Sequence, residues 1–598
     1  MLFPSGNCKG NSTTEPAGEG ADIPTNPGGG YNRRDEPPPA GGFKALTGRR
    51  DGSDRLSETS DALLPKKTGL TRSWSNRDAF VYAFFSINLV TLGLYTISQA
   101  YAFRGGMIPA LIVGAILILS EIVVYAGLIA VMPRSGGDYV WQSRIFGGGL
   151  GFVLAITGWC FILWLWTPVY ADMLRQIVLV PLAAVLGFKD AALAIAGSPA
   201  AWFLVCVATC ALVFLLITFG MESYARVQRI CFWVGNAGLA AVIAILLASS
   251  RSGFEAGFDA SAARLLGLKD AYAAIEAAGR AAGAATPIWG GGIGRVLLLL
   301  PFLAFFNLWP NSGASLYGEV NGAGNFRKNF LGMASALGAT TLLAIVLLLA
   351  IAKGIGWSFY MDANAAYWAS RWGLVPGPAA MPIWPYPALL AVLTLHSTLL
   401  RVAVLGAMSA WFFGWAGTMY LSSTRFLVSA SLDRLLPGSM AALHPRTRAP
   451  LNALLFMIVP GLLVSALFVF DVWHFSSLTL VSTLVIAVTF LGTGLAAVVL
   501  PFAKKELYRA SPLARFRIGR LPLISLFGLI FCAFLGFLLY EWLVDPGNLY
   551  GVSYRNAASM AFMALLYAGA VAIYLGMRAY RRRSGVEIGK IYDEVSDR

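Results

Sequence analysis

The residues best placed to do chemistry lie where an apolar run is interrupted. Leu300 to Phe330 reads LPFLAFFNLWPNSGASLYGEVNGAGNFRKNF, an apolar helix that runs into Asn307, Trp309, Pro310, Asn311, Ser312 and Gly313, then ends in Glu319 and the pair Arg327/Lys328. A bilayer offers no water to free backbone groups, so such a break at membrane depth survives only inside protein or beside an aqueous cavity. A second weak point is Asn88-Leu89-Val90-Thr91-Leu92-Gly93, with Ser86, Thr96 and Ser98 nearby. Taken alone, that stretch leaves helix packing and local unwinding equally open.

The two interruptions predict half-helices with complementary ends. Starts near Gly93 and near Ser312-Gly313 offer N–H groups and a positive dipole end to a carboxylate. Ends near Asn88 and Phe306-Asn307 offer carbonyls to an amine or cation. The combination suits a zwitterion, with Thr91, Leu92, Asn311 and Phe306 in the same two stretches. Phe305, Phe306 and Trp309 are candidate lids or pocket walls, set against an aromatic content of 13% that mostly serves packing.

Glu121 falls near the middle of another apolar run. A carboxyl in hydrocarbon is costly, so it is either a proton carrier or a neutral group hydrogen-bonded between helices. Asp172 and Arg175, three apart, form either a structural pair or an outer gate. Cys206 and Cys210 have no Cys or His cluster around them, and with Cys160, Cys231 and Cys532 they read as small packing residues. His396, His444 and His474 have no metal-ligand spacing. Gly147-Gly148-Gly149-Leu150-Gly151 lacks the Lys-Ser/Thr and the strand of a phosphate loop, so it reads as close helix packing. No Ser/His/Asp set, zinc motif or nucleotide-binding cassette is found. These absences argue against an enzyme, and no cofactor is expected.

The elements that must position these residues are membrane helices. Hydrophobic residues make up 57% of the 598 and charged residues only 13%, against about 25% charge in soluble domains. The net charge of +15 is spread over tail and loops with no aromatic-interleaved module. It therefore points to membrane lipids and positive cytoplasmic loops, not to nucleic acid. Apolar runs predict twelve spans, near 79–100, 106–132, 149–171, 199–219, 230–248, 293–318, 330–352, 397–424, 450–470, 475–501, 521–541 and 557–578. A short helix at 387–395 on the outer face absorbs the excess before the eighth.

With the N-terminus inside, the inner loops 133–148, 220–229, 319–329, 425–449 and 502–520 carry 16 Lys/Arg in 81 residues, against 10 in 130 outside. This bias places both termini in the cytoplasm. Residues 1–76, rich in Gly, Pro and Ser, are expected to be a disordered cytoplasmic tail with no secretory signal. Residues 77–501 form the core, 502–580 add two helices, and 581–598 form a C-terminal tail. The outer loop 249–292 contains SAARLLGLKDAYAAIEAAGRAAGA, expected as an amphipathic helix covering that surface or sensing substrate.

The two interruptions lie five spans apart, in corresponding positions of helices 1–5 and 6–10, about 79–248 and 293–501. Paired breaks of this kind mark a midplane binding site between inverted repeats.

Tyr125 to Trp141, YAGLIAVMPRSGGDYVW, resembles the second helix and following loop of the amino acid–polyamine–organocation permeases. Phe219-Gly220 to Arg226-Val227-Gln228 is similar to their fourth-to-fifth connection, and Gly318-Glu319-Val320 with Asn321 to the end of their sixth helix. Ser423-Thr424-Arg425-Phe426-Leu427 to Asp433-Arg434-Leu435-Leu436-Pro437, then Arg448-Ala449-Pro450, resembles the end of the eighth helix and the loop after it. The resemblance covers residues 79 to about 500. It implies an all-α integral membrane protein with the five-plus-five inverted-repeat (LeuT-like) transporter fold and two extra C-terminal helices. It further implies alternating access and amino acids or related amines as small-molecule substrates.

The chain departs from the pattern at Gly127, where many members have Glu. Asn88 to Gly93 stands for their Gly-rich first-helix motif, and Asn307 to Asn311 for their sixth-helix Gly-Phe pattern. Some members carry a Lys in the fifth helix where sodium would otherwise bind; here that helix has Gly235 and Asn236. The coupling ion is thus expected to be Na+, with the Thr91 carbonyl, Asn236 and Ser409 as candidate ligands, or H+ at Glu121. Substrate exchange is the remaining option. A nutrient sensor on a transporter-like fold and a permease for another organic solute are the alternative functions. Oligomeric state is left open.

Overall fold

The computed structural model describes residues 70, 72–372, 374, 380–475, 482–545, 550, 553–585, 588 and 592. Most of the expected N-terminal tail, and most of residues 586–598, lie outside them.

Eleven described helices are long and apolar enough to cross a membrane. Span 1 is Asn76–Gln99, span 2 Met107–Val131, span 3 Gly148–Val185, span 4 Pro199–Thr218 and span 5 Met221–Ala248. Span 7 occupies Phe326–Ile351 and is followed by shorter helices at Trp357–Arg371 and Pro387–Leu393. Span 8 is Thr398–Leu432, span 9 Leu451–Val469, span 11 Leu523–Val544 and span 12 Ala557–Arg583. Span 10 runs over Ser482–Ala503. Span 6 makes twelve and escapes a length criterion because it is in pieces: Ile293–Leu297, Leu300–Asn307 and a 3-10 stretch Ser312–Glu319.

Five is odd, so spans 1–5 and 6–10 cross in opposite senses, each set opening with an interrupted helix. This is the five-plus-five inverted-repeat fold. Span 1 sits deepest, with 89% of its most apolar window buried, against 33% for spans 4 and 5 and 6% for span 12. The side from which span 1 departs is called the terminal side below, because an even number of spans returns the C-terminus to it.

Several boundaries move for local reasons. Span 1 begins at Asn76, not near 79, because Ser75 and Asp78 form a reciprocal capping box that extends the helix beyond the apolar run. Span 5 begins at Met221, so 221–229 is helix where a loop is expected. Its polar Gln228 is buried and donates to the Gly414 carbonyl at 2.9 Å. Span 8 continues to Leu432, which takes Arg425 out of the expected inner loop and into the core at 1% exposure. Span 3 runs on to Val185 through π-helical turns at Thr157–Phe161 and Arg175–Leu179. The loop between spans 5 and 6 holds two helices, Arg251–Leu266 and Ala271–Ala281.

Candidate functional site

Both expected interruptions are present. In span 1 the α-helix ends at Ile87, and Asn88 takes φ +40 and ψ 91 before a π-helical stretch Leu89–Gly93. Asn is suited to positive φ because its short amide bonds locally. Here Oδ1 accepts the Thr91 amide at 3.0 Å, while Nδ2 donates to the Trp411 carbonyl of span 8 at 3.0 Å. The break is therefore tied across to another span. In span 6 the helix ends at Asn307, and Leu308 to Asn311, with the proline, leads into the 3-10 stretch.

The two breaks pack on each other. A Cβ on Gly93 would stand 2.8 Å from Phe306 Cδ2, and one on Gly313 3.0 Å from Tyr82 Cδ1. Tyr82 then bonds Ser422 Oγ at 2.8 Å and the Thr418 carbonyl, and Ser422 donates to the Ser312 carbonyl at 2.6 Å. Spans 1, 6 and 8 meet through this chain.

One expectation about the half-helix starts changes. The Ser312 and Ala314 amides donate to the Trp309 and Asn311 carbonyls at 3.2 and 2.7 Å, and the Gly93 amide to Asn88 at 3.0 Å. Tight 3-10 and π bonding thus uses donors that an α-helical start would leave free. The uncommitted groups are side chains instead. Thr91 Oγ1, both amide atoms of Asn311, Ser312 Oγ and Asn307 Nδ2 are buried without a hydrogen-bond partner among the described residues. Native interiors leave few such groups, and here they cluster at the breaks. Asn307 is the outlier: a Cβ on Gly114 of span 2 would stand 2.8 Å from its Nδ2, so its amide faces span 2.

The other predicted residues fall as follows. Leu92 and Phe306 are buried packing residues at the interface of the breaks. Trp309 is 2% exposed, donates to the Phe305 carbonyl at 2.7 Å and meets Trp166 edge-on at 5.2 Å. Phe305 stacks on the same Trp166 and reaches Trp542 of span 11. Ser409 donates to Leu405 within its own helix, on the part of span 8 that packs against the span 1 break. Asn236 is half-buried and turns its amide back to the Phe232 carbonyl at 2.7 Å. Glu121 is fully buried with neither oxygen hydrogen-bonded among the described residues, and it interacts electrostatically with Asp138.

Closure of the site rests on the Asp172–Arg175 pair, read from the sequence as structural or an outer gate, and on partners that sequence reasoning missed, Arg371, Trp74 and Trp368 among them. On the terminal side, Arg425 forms a two-pronged pair with Glu319 at 2.7 and 3.0 Å, both side chains 2% exposed. The Ser73 and Trp74 amides donate to the Glu319 carbonyl at 3.1 Å, and Trp74 packs on Tyr82 and Tyr224. On the opposite side Asp172 binds Arg175 at 2.6 Å and Arg371 at 3.2 Å. Trp368 Nε1 donates to Ser98 Oγ at 2.9 Å, covering the half of span 1 beyond its break.

Span 8 is itself interrupted at Ala416-Gly417, where Gly417 has φ +85. Carbonyls at and beside the interruption, those of Gly414, Ala416 and Thr418, accept from Gln228, Tyr224 and Tyr82. The only local signal was Gly417 itself.

The amino acid permease family matches residues 79–571 of this chain. No curated protein matches it. Among solved structures, MhsT in complex with L-phenylalanine is similar at 12% identity and a TM-score of 0.49, over 84% of this chain and 99% of that one. The chain belongs to the amino acid permease family: it is a multi-pass membrane protein and a transporter.

Proposed function

We propose that this amino acid permease family member is a secondary active transporter of amino acids or related amines. It works by alternating access in the plasma membrane, with both termini cytoplasmic. The observation that carries the reading is the set of uncommitted polar side chains at two facing helix breaks, led by Asn311, Thr91 and Ser312. A buried polar group without a partner costs about 1–3 kcal/mol. A zwitterion supplying both donors and acceptors removes that cost for several groups at once. The apolar neighbours Phe306, Leu92 and Trp309 would surround its side chain.

Alternating access is supported by barriers of different make on the two sides. Glu319–Arg425 and Trp74 close the terminal side, while Asp172–Arg371 and Trp368 close the other. Opening one while the other holds exposes the breaks to one side at a time.

The test is a thermal-shift screen of solubilised protein against the proteinogenic amino acids and common polyamines, with and without sodium and at two pH values. Ligands bound by the folded state raise its melting temperature. Trp309→Ala and Asn311→Ala are expected to lose a selective shift while still melting cooperatively. Shifts unchanged in both variants would remove the site from the breaks. Binding without uptake into vesicles would make the protein a sensor.

A further inference from the structure

Among the described residues the most deeply buried acidic group lies on span 2, one turn from the Tyr125 that neighbours Asn311 of the span 6 break. Glu121 is 0% exposed, and both of its oxygens lack a hydrogen-bond partner among the described residues. One turn along the same helix is Tyr125, whose hydroxyl donates to Asp138 Oδ1 at 2.5 Å. Asp138 is buried but fully served. It also accepts from Thr493 Oγ at 2.5 Å and from Trp159 Nε1 at 2.9 Å, and Thr493 in turn accepts from Gln142 at 2.8 Å. Beside Tyr125 sits Asn311, buried, its side-chain amide turned towards the Tyr125 hydroxyl and held by no other hydrogen bond among the described residues.

The two carboxyls are therefore unequal. Three donors converge on Asp138 and favour its carboxylate, against a burial that raises it above the ordinary aspartate value. Glu121 has no donor and faces that charge through its neighbour Tyr125. Of the elements packed on span 2, spans 7 and 10 bring no titratable side chain at this depth. Span 11 brings Cys532, Tyr540 and Glu541, the last interacting with Asp545 and not with Glu121. Span 6 brings the amides of its break with Arg295, Tyr317 and Glu319 on its flanking pieces, and the turn at Pro512–Arg515 brings Arg515; none of these charges acts on Glu121. No positive group among the described residues is placed to offset a charge on Glu121.

A metal cation fits the same place poorly. Hard cations want six or more oxygens. The hydrogens around Asp138 point at its oxygens, and no group of three acidic, His or Cys ligands exists among the described residues.

We propose that Glu121 is the proton-binding residue that couples transport to a proton gradient, with Asp138 and Tyr125 as its counterpart and Asn311 as the link to the substrate. This rests on the transporter reading above. In the protonated form Glu121 makes no demand on its surroundings, and the Asn311 amide is available to substrate. When Glu121 releases its proton to the water of one side, the new anion lies next to Asp138 with no donor committed to it. The Asn311 amide is the nearest donor to that pair, beside the Tyr125 hydroxyl, and drawing it further towards span 2 removes it from substrate. Proton and substrate then bind together and leave together, which is symport. The step is a proton transfer alone: Glu121 carboxylic acid gives its proton to water and takes one back from the other side.

Two measurements test this on the full chain in proteoliposomes. The first is infrared difference spectroscopy from about pH 5 to about pH 9, a range that brackets buried carboxyls. Wild type is expected to show a carboxylic-acid carbonyl band at neutral pH that is missing in Glu121→Gln and kept in Asp138→Asn. Absence of any such Glu121 band across the range overturns the proposal, whatever the substrate.

The second uses vesicles with an entrapped pH dye and an equimolar mixture of the proteinogenic L-amino acids outside. Lumenal acidification should accompany uptake. The ratio of proton-driven uptake to tracer exchange should fall about tenfold or more in Glu121→Gln, whose neutral amide preserves the shape. Tyr125→Phe should shift the pH at which that ratio changes. Glu276→Gln, on an exposed pair with Arg280, should leave it as in wild type. Exchange without acidification in wild type overturns the proton role and leaves the transporter reading standing. No exchange in wild type overturns both.

Discussion

The Glu319–Arg425 pair makes a quantitative prediction about the terminal-side barrier. Both side chains are 2% exposed and meet through two hydrogen bonds, at 2.7 and 3.0 Å. Removing one partner leaves a buried charge uncompensated, which costs about 3–5 kcal/mol. Replacing both by apolar groups of similar volume is often close to neutral, because the desolvation cost goes with the charges. The reporters are at hand: the Ser73 and Trp74 amides both donate to the Glu319 carbonyl. They exchange with solvent only when the strap before span 1 lifts. At about 1.4 kcal/mol per decade, Glu319→Leu or Arg425→Met alone should speed that exchange by about two to three and a half decades. The double variant should return to within about one decade of wild type. Hydrogen exchange read by mass spectrometry on a peptide covering Ser73 to Asp78 gives all four corners of the cycle. Single variants within about fivefold of wild type would refute a charge-locked barrier. So would a double variant as fast as the sum of the two singles.

Other consequences are equally direct. Gly93→Ala places a methyl 2.8 Å from Phe306 Cδ2 and 3.3 Å from the Asn88 carbonyl; substrate affinity in the thermal-shift assay should fall at least about tenfold, and Phe306→Leu in the same chain should recover part of it by making room. Arg371→Met leaves Asp172 with Arg175 alone; a lost charge-assisted bond of about 1.5–3 kcal/mol should speed hydrogen exchange in Trp357–Arg371 while the Ser73–Asp78 peptide stays as in wild type. Burial pushes the Asp138 carboxyl above the ordinary aspartate value, opposed by its bonds from Thr493, Tyr125 and Trp159. A group raised on folding contributes stability that is complete below its unfolded value, about 3.9, and lost as pH rises through the folded one. The melting temperature of Asp138→Asn should therefore decline less than that of wild type across that window, and parallel curves would contradict the assignment.

How far the sequence discloses this molecule depends on whether a feature is a local violation or a distant agreement. Pro310 between Asn307 and Asn311 violates the rule for a lipid-facing helix on its own, so the span 6 break is legible without a partner in view. Asn88 is half as legible. A positive φ suits Asn, but the bond that holds it there comes from Trp411, 323 residues away. The Ser75–Asp78 box was a local signal too, yet counting apolar residues places the helix start three residues late. The break in span 8 leaves almost no trace, because a glycine among Trp415, Ala416 and Thr418 is ordinary until Gln228, Tyr224 and Tyr82 are seen to donate to the carbonyls of Gly414, Ala416 and Thr418 around it. Closure is the extreme case. Asp172 and Arg371 are 199 residues apart, and Glu319 and Arg425 are 106. No period or motif relates such residues; only the folded arrangement of spans does. The same reasoning separates the two carboxyls beside the break. Glu121 stands out in sequence because hydrocarbon surrounds it on its own helix. Asp138 reads as an ordinary loop residue until Tyr125, Trp159 and Thr493 converge on it, and only then does the isolation of Glu121 become a chemical asymmetry between two neighbours.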